Sequence, residues 1–244
     1  MSKRPGVEDE KLTGFATSLS SPRAVQVHAA LHKAILDHRL EPGRPLPEDE
    51  IGTVYGVSRT LVRSAIQALA HERLVTVEPN KGARVAKPDA EEARQIFEAR
   101  SLIEPRLAGL AALRARPADV AELRDHIRRE AEALEAGDNQ QAIALSAAFH
   151  RKIAQMADHR IFSDIASELM SRSSLIVALY WRRRDTTCER HAHGALVDAI
   201  AKGDEKGATE LMLSHIVDLL SGLNLRSEPR ATSLAEVLGN DLGR

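Results

Sequence analysis

Apolar positions recur at helical spacing along most of this chain, and they alternate in only one short stretch. After Ser21-Pro22, an N-cap followed by proline at the first helical position, Val25, Leu31, Ile35 and Leu36 form a stripe that runs to about Arg39, where Glu41-Pro42-Gly43 stops it. A second short helix is predicted over Pro47–Tyr55, and Gly56 closes it by tolerating a left-handed cap. Ser58 then offers a side-chain oxygen to the free N–H groups of a third helix, predicted from Ser58 to about His71. In that helix Leu61, Ala65, Ile66 and Leu69 fall on one face, while Arg59, Thr60, Arg63 and Gln67 fall on the other.

Helix, glycine turn, helix is the helix-turn-helix layout, and the face carrying Arg59 and Arg63 would be its reader. Two β-branched runs follow, Leu74–Val77 and Arg84–Ala86, on either side of Pro79-Asn80-Lys81-Gly82, a loop with turn chemistry. They predict a hairpin with a basic tip, completing a winged helix-turn-helix over residues 21–88 with a wing at about 74–86. Between Ser58 and Lys87 six cations stand against two anions, a balance of +4 in a chain of formal net charge -1. Positive charge therefore gathers where phosphates would lie.

Pro88 disfavours helix at Lys87, and Asp89 with Glu92 has the spacing of a capping box. Beyond that point the pattern is helical throughout, with helices predicted near 89–115, 118–136, 138–157, 160–182, 186–202 and 204–223. The breaks are Arg116-Pro117, Gly137-Asp138, Asp158, Arg184-Asp185 and Gly203-Asp204. The fold class is mainly α: an N-terminal winged helix-turn-helix and, over residues 89–225, an all-α antiparallel bundle. Residues 1–20 are polar and without period, read as a mobile arm, and 226–244 are read as a loose tail.

Composition narrows the partners. Aromatic residues make up 3% of the chain, which favours helices over sheets. The first residues contain no apolar leader core, and no run reaches membrane-spanning length, so the expectation is a cytoplasmic protein without a membrane partner. A single cysteine, Cys188, rules out an internal disulfide and a cysteine-based zinc finger.

The segments PGRPLPEDE, GVSRTLVRSAIQAL and ERLVTVEPNKGARV resemble the GntR family of bacterial transcription regulators over residues 22–88. Leu61, Ser64 and Asp49 depart from the family pattern, Asp49 standing where some members carry a DNA-facing arginine. The resemblance implies contacts to double-stranded DNA from Ser58, Arg59, Thr60 and Arg63 on the reader helix, and from Asn80, Lys81 and Gly82 at the wing tip. From about 92 to 220 the chain is similar to the FCD domain of the FadR subfamily, a helical effector-binding and dimerisation domain.

His150, His193 and His215 sit on three predicted helices, each within an apolar stripe. Such histidines are either hydrogen-bonded core residues or, if they converge, ligands for zinc or a similar divalent ion. Metal-binding FCD domains place histidines in these three contexts, with a fourth ligand, an Asp, where this chain has Ser146. The implied cofactor is thus one divalent metal ion, completed by water or effector, and the alternative is a metal-free pocket. His191 lies two residues from His193 and faces elsewhere. Arg100, on the stripe Ile96, Arg100, Ile103, Leu107, needs a partner in the bundle: either a carboxylate effector or Glu104 one turn on. Trp181-Arg182-Arg183-Arg184 reads as a solvated helix end or dimer surface.

The expected function is a sequence-specific DNA-binding regulator, a homodimeric repressor by family default, controlled by a small carboxylate bound in the helical domain. A metal-dependent enzyme is the first alternative. The sequence shows no HExxH, no nucleophile motif and no spare carboxylate near the histidines, so general acid–base machinery is missing. A constitutive DNA-binding dimer is the second.

Overall fold

A computed structural model describes residues 19, 21–181 and 187–225. The arm, the tail, the break at Arg184-Asp185, the cations of the cluster after Trp181, and the side chains of Cys188 and His191 lie outside the described residues.

Three helices and a hairpin form the N-terminal unit: α1 (Pro22–Leu36), α2 (Glu48–Tyr55), α3 (Arg59–His71), β1 (Val75–Glu78) and β2 (Gly82–Val85). Each boundary has a local cause. Pro22 opens α1 with its preset φ, and Gly56 ends α2 at φ 61°, letting the Val57 N–H return to the Gly52 carbonyl at 3.0 Å. Neither Ser21 nor Ser58 makes the side-chain cap bond expected of it; both hold only the extended cap backbone. On α3 the buried residues are Val62, Ala65, Ile66, Ala68 and Leu69, with Leu61 only half-buried. Val62 and Ala68 complete the predicted face, which α3 turns toward α1, α2 and β1.

β1 and β2 pair antiparallel, Val75 opposite Val85 and Glu78 opposite Gly82, and the turn is made by Asn80 at φ 64° and Gly82 at φ 79°. The segment after α1, read only as a helix stop, also adds to this ladder. Gly43 donates to the Val85 carbonyl (2.9 Å), Val85 to that of Arg44 (2.9 Å) and Leu46 to that of Ala83 (2.8 Å).

Six helices make the C-terminal bundle: α4 (Ala90–Arg114), α5 (Pro117–Glu135), α6 (Asn139–Met156), α7 (Arg160–Tyr180), α8 (Thr187–Ala201) and α9 (Glu205–Gly222). Aspartate caps set three of their starts: Asp89 accepts from the Glu92 N–H (2.8 Å), Asp138 from Gln141 (3.0 Å) and Asp204 from Gly207 (2.9 Å). α4 is the central rod, packed against α6, α7, α8 and α9, and its Ala93, Ile96, Phe97, Ala108 and Ala111 enter the main core.

α7 joins the two units. Its Leu175 is fully buried in the core of the N-terminal unit with Val27, Leu31 and Ile66, and the Tyr180 hydroxyl donates to the Pro88 carbonyl at 3.0 Å. Arg172, on the same helix, reaches Glu92 at 2.7 Å.

Candidate nucleic-acid interface and metal centre

Arg59, Thr60 and Arg63 on α3 and Ser58 at its N-cap are all exposed, and Asn80, Lys81 and Gly82 are exposed at the wing tip. Neither arginine is free in solution. Arg63 donates from Nε and Nη2 to the two carboxylate oxygens of Glu48, at 3.0 and 2.8 Å, while its side chain stays 59% exposed. Arg59 meets Asp49 at 3.0 Å and the edge of Glu48 at 3.8 Å. The hydrogen bond from Arg63 holds the Glu48 carboxyl below its ordinary value, so the pair is ionic at neutral pH. Lys81 is likewise tied to Glu78 at 2.8 Å. The sequence places Arg59 and Arg63 on the exposed face, as found, but their acidic partners Glu48 and Asp49, which come from α2 across the glycine turn, were not foreseen.

In the bundle the three predicted histidines converge. His150 (α6), His193 (α8) and His215 (α9) are buried, and the His215 Nε2 lies 3.1 Å from the Nε2 of His150 and 3.0 Å from that of His193. A tetrahedral zinc with bonds of about 2.0–2.1 Å would space such nitrogens about 3.3 Å apart, close to these two separations, and the ligand atoms of all three histidines lie within 4.8 Å of one another. The outer nitrogens are oriented by carboxylates: His150 Nδ1 donates to Glu104 (2.6 Å) and His193 Nδ1 to Glu130 (3.0 Å). Both Glu residues are buried. The expectation that no spare carboxylate lies near the histidines is therefore overturned. Glu130 occupies an otherwise apolar stripe on α5 with Leu123 and Leu134, a signal that the spacing did contain.

Burial alone would raise the Glu104 carboxyl, but Arg100 and His150 beside it outweigh that and bring it down to about 2. It is an acceptor only, so the His150 proton sits on Nδ1. Burial pushes His150 down, and His215 well down, toward the neutral imidazole. With its Nδ1 hydrogen donated to Glu104, the neutral ring of His150 turns its Nε2 lone pair toward His215, and the Nε2 of His193 faces the same His215 nitrogen. A divalent cation would engage all three lone pairs, and the carboxylates behind are the usual outer support for metal-bound imidazole.

Arg100 is buried and its charge is answered internally. It pairs with Glu104 through Nε and through Nη2 (3.3 Å), donates from Nη1 to Ser173 (3.0 Å), and lies 5.1 Å from the Phe97 ring centre. The pairing with Glu104 one turn on, expected from the spacing, is thus formed. A cavity of about 540 Å³ opens beside this cluster, lined by Arg100, Glu130, Ser146, His150, Ser173 and Ser174 at polar positions. Leu134, Ile143, Met170, Val177, Trp181 and Leu219 supply apolar wall.

The comparisons agree with this architecture. The family model described as bacterial regulatory proteins, gntR family, matches residues 23–85, and the FCD domain model matches residues 95–218. An HTH-type transcriptional regulator in an unstable DNA locus of Streptomyces ambofaciens is 28% identical over 202 residues, covering 78% of this chain and 80% of that protein. The Nta operon transcriptional regulator of Aminobacter aminovorans is 26% identical over 181 residues, 74% of this chain and 85% of that protein. In three dimensions the chain is similar to a GntR transcriptional regulator of Rhodococcus sp. RHA1, with a TM-score of 0.73 at 24% identity over 82% of this chain and 97% of that one, a likeness of fold. The family and these relatives are DNA-binding transcriptional regulators, not enzymes. With its N-terminal unit and half of its length matched in this way, the chain belongs to the GntR family and carries an FCD domain.

Proposed function

We propose that this protein is a ligand-controlled, dimeric, DNA-binding transcription regulator, acting as a repressor, whose C-terminal bundle holds a divalent metal and a small carboxylate. The observation that carries the reading is the wall of the cavity. α7 contributes Met170, Ser173, Ser174 and Val177 to it, with Trp181 at its C-cap, and the same helix inserts Leu175 into the DNA-binding unit and holds the Pro88 carbonyl through Tyr180. An occupant that shifts α7 would thereby move the reader, as any effector must if it binds two states unequally.

His150, His193 and His215 would hold the metal, and a cation there would supply a charge for an anionic ligand next to Ser146 and Arg100. DNA contacts are assigned to Ser58, Arg59, Thr60 and Arg63 on α3, and to Asn80, Lys81 and Gly82 at the wing. Arg63→Ala is expected to weaken binding to a selected operator far more than binding to random DNA.

The test is a thermal-shift titration of tag-free, chelator-treated protein, first with zinc, nickel or manganese alone and then with a panel of small carboxylic acids. Stabilisation by metal that disappears in His193→Ala, with a further shift from one class of acid, is the expected result. If neither metal nor acid stabilises the protein, the sensor reading fails and a constitutive DNA-binding dimer takes its place.

A further inference from the structure

Arginines on a solvated helix face have many rotamers, yet base recognition needs one. Glu48 supplies the constraint. It begins α2, where the N-terminal dipole favours a carboxylate, and its side chain is only 22% exposed. A guanidinium carries five N–H donors in a rigid planar fork. The grip by Glu48 uses the Nε hydrogen and one Nη2 hydrogen, both on one edge of that fork. The edge left over presents Nη1–H and the second Nη2–H in parallel, and two parallel donors are what guanine O6 and N7 accept. Among the described residues the Arg63 guanidinium makes no other hydrogen bond. Arg59 is held more loosely, by its Nε alone, and its nearer partner Asp49 is 71% exposed.

We infer that Glu48 is a positioning residue for sequence recognition, holding Arg63 with its outer Nη edge turned away from the protein as a guanine reader. This rests on the assignment of α3 to DNA. The rival role for the same carboxylate is a gate, a negative charge that occupies Arg63 and repels phosphate. Neutralisation separates the two. Glu48→Gln removes the two-oxygen grip and adds a net positive charge to the surface, so a positioning role predicts loosened specificity on an undiminished affinity for any DNA. A gate predicts tighter binding to every sequence.

The experiment is selection from a random-sequence DNA duplex library with the full-length wild type, Arg63→Ala, Glu48→Gln and Glu48→Asp. The position at which Arg63→Ala loses a guanine identifies the base that Arg63 reads. There Glu48→Gln is expected to lose about three- to tenfold of the guanine preference, part of what one bidentate contact provides, while binding a random duplex at least as tightly as wild type. Glu48→Asp keeps the charge but is one methylene too short for the grip, and should lose the preference without any gain on random duplex. A motif kept intact by Glu48→Gln, or equal tightening on selected and random duplexes, overturns the positioning role alone. A wild type that enriches no sequence overturns the assignment of α3 to DNA, and this inference with it.

Discussion

Glu104→Gln is the most direct probe of the bundle's interior. Arg100 and Glu104 are 4% and 3% exposed, and the carboxylate also holds His150, so the substitution leaves a guanidinium in the core without its counter-charge. Breaking a buried pair from one side costs about 3–5 kcal/mol. Titration gives a similar size: a carboxyl brought from 4.5 down to about 2 contributes on the order of 3 kcal/mol at neutral pH. For a chain of this length that corresponds to a fall in Tm of about 6–20 °C. The folded carboxyl titrates lower than the unfolded one, so its contribution is full above pH 4.5 and is lost as pH falls toward 2. Unfolding of chelator-treated wild type and variant, followed by circular dichroism from pH 7 to pH 3, should show a gap that narrows on acidification. The double replacement Arg100→Met with Glu104→Leu, which leaves no charge to satisfy, should be the milder change. A variant within about 1 kcal/mol of wild type at pH 7, or a gap constant across the series, would refute this account of the pair.

Three further outcomes are expected. Glu130→Gln, which weakens the support behind His193, should lower zinc affinity about 10–100-fold in calorimetric titration, with the fold retained. Tyr180→Phe leaves the buried Pro88 carbonyl without its partner, a loss of about 1–3 kcal/mol, and hydrogen exchange should accelerate around residues 86–92 while zinc affinity holds. Gly56→Ala meets no steric neighbour but is forced to φ 61°, so denaturant unfolding should show a loss of about 1–2 kcal/mol from backbone conformation alone.

Periodicity carried most of the fold. The helical segments could be drawn from residues such as Asp89, Asp138 and Asp204, because an aspartate cap is a local device and needs no knowledge of the rest of the chain. The ladder between residues 43–46 and β2 could not, since those backbone groups are paired by distant chain rather than by their own side chains. The site divides in the same way. Three histidines on three apolar stripes were visible as candidates, and their convergence follows from helix packing that no single stripe encodes. Glu48 against Arg63, and Glu130 against His193, join residues 15 and 63 positions apart, beyond the reach of any local rule. Arg100 and Glu104, one helical turn apart, were the exception, and their pairing could be read directly.

Leu175 has a consequence for anyone who would divide this protein. The residue belongs to the bundle in sequence but fills the interior of the DNA-binding unit, at 0% exposure beside Val27 and Ile66. A fragment ending at Pro88 would carry a hole where that leucine sat, of a kind that costs about 2–5 kcal/mol when made by truncation to alanine. The reader is therefore not a detachable cassette, and a chimera that grafts it onto another family member's bundle must bring a matching seventh helix with it.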